Sequence, residues 1–283
     1  MKTGGKFFII DFDGTLLNDD KTISRKDIRT LEMLRRKKII TAIATGRSAY
    51  SFEKALKNIG MADGFLPIDY LIFSTGAGIM EFPGGRMIYQ KALPYSDIRK
   101  IVDYLDHGKF DYMVHKAIPD TRHFLYQSYG QENPDFYARL DLYKEFALPL
   151  GQGYCHEDPA TEVLAIIPGG IDMDSLEIIK KDLSGFSVIH ATSPLDKKSS
   201  WIEIFHKSVS KSRAASWLVK RRGLNRKNVL CVGNDYNDHD LLSWSGNGFV
   251  VENAPAGLKQ VFKTVSSNNL SGVSEAVQKS GWI

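Results

Sequence analysis

Short apolar runs punctuate the chain, and each ends in polar residues. Phe7-Phe8-Ile9-Ile10, set between Lys6 and Asp11, reads as a strand buried on both faces, as at the middle of a parallel sheet. Ile39 to Ala44, Tyr70 to Phe73, Val229 to Val232 and Gly248 to Ala254 predict further strands. Between the first two, Ile28, Leu31, Met33 and Leu34 are spaced as one face of a helix with Ser24 as N-cap. Ala49 to Asn58 and Ser271 to Lys279 also read as helices, and another opens across Val209 to Ala214. A strand, a helix and a strand form a βαβ unit whose right-handed crossover brings both strand ends to one edge.

From about Phe82 to Ser193 the pattern changes. Alternating stretches (Met87 to Leu93, Asp111 to His115, His123 to Gln127, Val163 to Ile167, Phe186 to Ile189) interleave with helical ones (Asp97 to Leu105, Asp135 to Phe146, Met173 to Leu183). This predicts an α+β insert with an antiparallel sheet. Pro83-Gly84-Gly85 and Ser193-Pro194 punctuate its edges as hinges. Trp201 to Phe205 is read as a strand returning to the first domain. The expected fold is an α/β, doubly wound, mostly parallel sheet of residues 1–82 and 194–283, with 83–193 as a second domain.

Composition narrows this little. A chain of 283 residues suggests two domains, and 43% hydrophobic with 25% charged residues excludes a disordered chain. The net charge of +4, from 37 Lys+Arg against 33 Asp+Glu, is weak. Its densest runs, Arg35-Arg36-Lys37-Lys38 and Lys220-Arg221-Arg222, fall at predicted helix ends, where cations complement the dipole, so no nucleic-acid partner is expected. Cys155 and Cys231 are far apart, which argues against a disulfide framework and fits a reducing compartment. Asp11 interrupts the N-terminal apolar run, and no stretch of about 18 apolar residues occurs. The expectation is a cytoplasmic protein with no membrane span. His107, His115, His123, His156 and His190 show no close ligand spacing, so no dedicated metal is expected among them. His156-Glu157-Asp158-Pro159 is a polar loop and a candidate for substrate contact.

Candidate chemistry gathers at strand ends. Asp11 and Asp13, two apart, point to one side of an extended backbone, with a turn at Gly14-Thr15. Converging carboxylates repel unless a cation lies between them, and hard oxygen ligands suit Mg²⁺. An ionised aspartate there can attack phosphorus, while the second carboxyl serves as general acid and base. Thr45, Gly46 and a helix starting near Ser48 make a phosphate cradle. Lys211 at a helix N-terminus opposes the dipole, which costs stability unless an anion sits there. The Asn/Asp cluster after Val232 would complete an oxygen-ligand site.

Asp11-Phe12-Asp13-Gly14-Thr15-Leu16 resembles the first motif, DxDGT[LV], of the haloacid dehalogenase superfamily of phosphohydrolases, and the other motifs follow in order. Thr45-Gly46-Arg47 is similar to the second motif of the Cof-type branch. Glu203-Ile204 followed by Val209-Ser210-Lys211 is similar to the third, with Ser212 where glycine is usual. Gly233-Asn234-Asp235-Tyr236-Asn237-Asp238 resembles the fourth, GDxxND, with Asn234 in place of its first aspartate. Thr75 stands where relatives usually carry asparagine, and the insert resembles a type IIB cap.

The resemblance implies a Mg²⁺-dependent phosphatase acting on a small phosphorylated metabolite such as a sugar phosphate, with the cap setting specificity. It implies that Asp11 is the nucleophile, that Asp13 is the general acid and base, and that Thr45 and Lys211 hold the phosphoryl group. Gly46, Arg47, Asn237 and Asn253 would meet the substrate. The metal would take ligands from Asp11 and Asp13 and from Asn234, Asp235 and Asp238, the last three standing as alternatives. A phosphoryl-transferring mutase and a metabolite-binding protein that kept the fold are the other readings.

Overall fold

The computed structural model describes residues 5–61, 66–130, 132–151 and 158–283. The chain divides into two compact units, Met1–Gln90 with Ser210–Ile283, and Lys91–Val209.

The first unit begins with β1 (Phe7–Ile10), α1 (Arg25–Arg36), β2 (Ile40–Ala44), α2 (Ala49–Asn58) and β3 (Tyr70–Phe73). Serines start the two helices, since Ser24 accepts from Asp27 N and Ser48 from Ser51 N. On α1 the inner face holds Asp27 and Thr30 beside Leu31 and Leu34, while Met33 turns to solvent. That replaces part of the expected apolar stripe with a polar tie. Asp27 accepts from the backbone N and the hydroxyl of Ser274, and Thr30 donates to Ser274 Oγ. The sheet then continues antiparallel through β4 (Gly78–Glu81) and β5 (Met87–Gln90).

The second unit contains α3 (Tyr95–His107), β6 (Tyr112–Lys116), β7 (Phe124–Gln127), α4 (Pro134–Leu142), β8 (Ala147–Pro149), β9 (Ala160–Ile167), α5 (Met173–Asp182), β10 (Ser187–Thr192) and β11 (Ser200–Phe205). Its strands form one sheet in the order β10-β11-β9-β6-β7-β8, antiparallel except for the β7–β8 pair. One apolar cluster joins Ile98, Ile101 and Leu105 of α3 and Leu176 and Ile179 of α5 to the sheet; another joins Phe136 of α4 to Met113, Leu164 and Trp201.

The chain returns to the first unit through α6 (Lys211–Arg221), β12 (Val229–Gly233), α7 (His239–Ser245), β13 (Gly248–Val251), α8 (Ala256–Val261), β14 (Lys263–Val265) and α9 (Gly272–Lys279). The completed sheet runs β14-β13-β12-β1-β2-β3-β4-β5. β1 pairs in parallel with both β2 and β12, which is why all four of its residues are buried. Connections run outward in opposite directions from β1 and β12, so the carboxyl ends of these two strands flank the switch point where α/β sheets place their sites.

The α/β core with an α+β insert matches the sequence expectation, but the divisions differ. They fall at Gln90/Lys91 and Val209/Ser210 rather than after residues 82 and 193. Met87 to Leu93 yields β5, and Pro83-Gly84-Gly85 lies in the turn joining β4 to β5, inside the first unit rather than at its edge. Trp201 to Phe205 does not return to the first sheet; as β11 it pairs with β9 and β10. Alternation identifies a strand but not its partner. Cys155, His156 and Glu157 lie outside the described residues, and Cys231 is a buried free thiol. Among the described residues, no helix is long and apolar enough to cross a membrane.

Candidate active site

β1 delivers Asp11 to the switch point, where its backbone N donates to Val232 O of β12 at 2.9 Å. Gly14 then turns the chain at φ +72, and a Cβ there would come within 2.6 Å of the Asn234 amide. Glycine is required for both conformation and space.

Lys211 is wholly buried at the first turn of α6, behind the N-cap Ser210. Its Nζ donates to Asp11 Oδ1 at 2.8 Å and to Asp238 Oδ1 at 2.6 Å, and lies 3.5 Å from Asn237 Oδ1. The anion that its unfavourable place on the helix called for is therefore supplied by two carboxylates of the chain itself. Burial acts to lower the lysine's pKa, but the charges of Asp11 and Asp238 outweigh it and hold the ammonium above its ordinary value. Burial and the Asp238 charge push Asp11 up to about 7, against the pull of Lys211.

Asp238 has little capacity left for a metal. Its Oδ2 accepts from Asn234 N at 2.9 Å and from Asp235 N at 3.2 Å, so it anchors both the loop and the lysine. The Asp235 carboxylate turns back on its own short helical turn and accepts from Tyr236 N at 2.8 Å. Asp13 is gripped by Arg47 through paired bonds of 2.6 and 2.7 Å, and the guanidinium also reaches Ser51 and lies over the Phe12 ring. At the end of β2, Thr45 Oγ1 accepts from Arg47 N at 3.0 Å, so its own hydrogen can serve an incoming acceptor. Gly46 contributes backbone to this turn. Asn253 braces the site, donating to Gly14 O at 2.8 Å and accepting from Asn268 N at 3.0 Å.

Among the described residues, no three His, Cys, Asp or Glu side chains gather as a metal cage. What converges is Asp11 Oδ2, the Asp13 carbonyl oxygen and the Asn234 amide, whose inward atom lies 3.0 Å from the first and 2.9 Å from the second. A carboxylate oxygen, a backbone carbonyl and an amide that can present its oxygen are the hard donors that suit Mg²⁺. The structure thus brings Asp11, Asp13, Thr45, Arg47, Lys211, Asn234, Asn237 and Asp238 into one linked network, while Asp235 and Asn253 serve as loop supports. Sequence reasoning missed Thr15, whose hydroxyl is 3.1 Å from the Asn234 amide, and the buried Asn268, which donates to Leu17 O. Thr15 lies within the first motif; nothing local marked Asn268.

Thr75 occupies a tight turn at φ 54, where its N donates to Thr45 O at 3.0 Å. A β-branched residue is strained there, whereas asparagine tolerates that backbone. The position therefore has a conformational demand besides any contact with substrate.

The chain belongs to the haloacid dehalogenase-like hydrolases, whose family description it matches over residues 8–277. It is 25% identical over 285 residues to the protein of Bacillus subtilis (strain 168) named 5-amino-6-(5-phospho-D-ribitylamino)uracil phosphatase YwtE, covering 93% of each chain. Its fold is that of BT1666 from Bacteroides thetaiotaomicron, a phosphatase of the same superfamily, at TM-score 0.78 and 19% identity over 100% of this chain and 97% of that one. It also superposes on the subclass IIB sugar phosphatase BT4131 at TM-score 0.75 and 16% identity, over 98% and 100% of the chains. The fold, an α/β core with an α+β insert, is thus shared with a subclass IIB member of the superfamily.

Proposed function

We propose that the protein is a Mg²⁺-dependent phosphatase that hydrolyses a small phosphorylated metabolite through an aspartyl-phosphate on Asp11. The observation that carries this reading is the fixing of Asp11 at the switch point, with Oδ1 on the buried Lys211 ammonium and Oδ2 at 3.0 Å from the Asn234 amide, which also reaches the Asp13 carbonyl.

In this reading an Asp11 carboxylate oxygen attacks phosphorus, and the bond from phosphorus to the ester oxygen breaks. The leaving oxygen takes a proton from Asp13. Asp13 then accepts a proton from water, which attacks the acyl phosphate, releases inorganic phosphate and restores the Asp11 carboxylate. Lys211 balances the charge of the nucleophile and of the phosphoryl oxygens, and the Thr45 hydroxyl donates to one of them. Mg²⁺, held by Asp11, the Asp13 carbonyl and Asn234, would supply positive charge that keeps Asp11 ionised and neutralises the phosphoryl group. Arg47 must share or release Asp13 for the leaving oxygen to reach it, which makes Arg47 the residue through which a bound phosphate would free the acid.

The family and its relatives' names, one a phosphatase of a phosphorylated ribityl compound and one a sugar phosphatase, support a small phosphorylated metabolite, so polyol and sugar phosphates head the panel to be tried. The cap residues are assigned to specificity. Release of phosphate from p-nitrophenyl phosphate, measured with and without Mg²⁺, tests the reading. Hydrolysis should require the metal, and Asp11→Asn should abolish it. Activity retained in that variant would eliminate the mechanism. No release from any phosphorylated metabolite, with binding intact, would favour the metabolite-binding alternative.

A further inference from the structure

The Asn234 amide has two faces, and its surroundings distinguish them. With Nδ2 inward it can donate to Asp11 Oδ2 at 3.0 Å and to the Asp13 carbonyl at 2.9 Å. With Oδ1 inward the Thr15 hydroxyl donates to it at 3.1 Å, but that oxygen then faces a carboxylate and a carbonyl with no proton between them. The first arrangement satisfies itself; the second requires a cation. A carboxylate at this position would have no such choice and would simply repel Asp11 until a cation arrived.

We propose that Asn234 is a rotating ligand. Its Nδ2 closes the site by bonding Asp11 and Asp13 when no cation is bound, and its Oδ1 turns in as the third protein ligand when Mg²⁺ binds. This rests on the phosphatase reading of Asp11 and Asp13 as cation ligands. The exchange needs only a half-turn about the Cβ–Cγ bond, because the two amide atoms trade places. The loop need not move, and Asp238 pins it through the N–H groups of Asn234 and Asp235.

Two effects then weaken cation binding relative to an aspartate at 234. The amide brings no charge, and the neighbouring carboxylates do not make up for it: Asp13 is held by Arg47, Asp238 by Lys211, and Asp235 caps its own turn. Binding must also break the two N–H bonds that close the empty site.

Mn²⁺ alone, titrated into the full chain and followed by loss of the free-ion electron paramagnetic resonance signal, reads affinity without turnover. Wild type should bind, and Asn234→Asp should bind at least about tenfold more tightly, as an added ligand charge requires. Side-chain amide NMR of the wild type provides a reading independent of any variant. The Asn234 NH₂ should be protected from exchange in the metal-free protein and should lose that protection when Mg²⁺ saturates the site. Equal or weaker binding by Asn234→Asp, or protection that persists at saturation, overturns the proposal while leaving the phosphatase reading intact. If neither protein binds Mn²⁺, both fall.

Discussion

Asp238 is spent wholly on support. One oxygen holds the Lys211 ammonium, wholly buried like Asp238 itself, and the other holds two backbone N–H groups of a half-buried loop. Its removal would leave a buried cation with half its counter-charge and two orphaned donors. Asp238→Ala should therefore destabilise the first unit by about 3–5 kcal/mol, the usual cost of breaking a buried ion pair, as measured by denaturant unfolding. A loss below about 1 kcal/mol, the value of an exposed pair, would show that Lys211 is solvated instead. From sequence Asp238 was one of three metal candidates, and its actual partner was not legible. Spacing along the chain showed that carboxylates cluster after β12, but not that a lysine 27 positions away would take one of them. The Arg47–Asp13 clamp was hidden for the same reason, since both residues were singled out but not as partners. Asp11, Asp13, Thr45 and Lys211 were legible because each closes a buried strand or opens a helix, where position alone implies convergence.

At the scale of elements, the β1, α2 and β3 bounds follow directly from apolar runs and a serine cap, because burial on both faces leaves no room for polar residues. β4 and the partnering of β11 do not follow. Gly78–Glu81 is only four residues long and packs Gly78 against the Phe73 ring, so its sequence carries no distinct period. The helical parts of the first unit are also tied by polar contacts that a hydrophobic pattern cannot show. Asp27, fully buried on α1, takes hydrogen bonds from Ser24 and from both donors of Ser274 on α9. Asp27→Ala should cost about 1–3 kcal/mol for each buried donor left unpaired, and p-nitrophenyl phosphate turnover at a temperature where the variant is folded should be unchanged. A large drop in turnover by the folded variant would mean that this tie reaches the catalytic network.

Over the whole molecule, two units with separate cores should respond separately to perturbation. The second unit carries a half-buried carboxylate that makes this visible. Burial first, then the charge of Glu203, pushes Glu162 up to about 8 from 4.5, against the pull of Arg139. The folded chain thus holds a proton there that the unfolded chain has released, so the stability Glu162 contributes is complete below 4.5 and is lost as pH rises through about 8. His115, held down to about 3 by burial and by the Arg139 charge, is neutral in both states above 6.5 and adds no slope on the alkaline side. Glu162→Gln should flatten the fall in stability between pH 6.5, where the opposing slope from His115 ends, and about 8. Hydrogen exchange resolved by peptide should place the change within residues 91–209. An unaltered pH profile would show that Glu162 is ionised at neutral pH.

The central claim is that a phosphoryl group passes through Asp11, and chemical trapping tests it most directly. During turnover of p-nitrophenyl phosphate in Mg²⁺, borohydride should reduce the acyl phosphate and leave homoserine at position 11, seen by peptide mass spectrometry. Turnover that proceeds while Asp11 is recovered unmodified, or with the trapped group on another residue, would contradict the account.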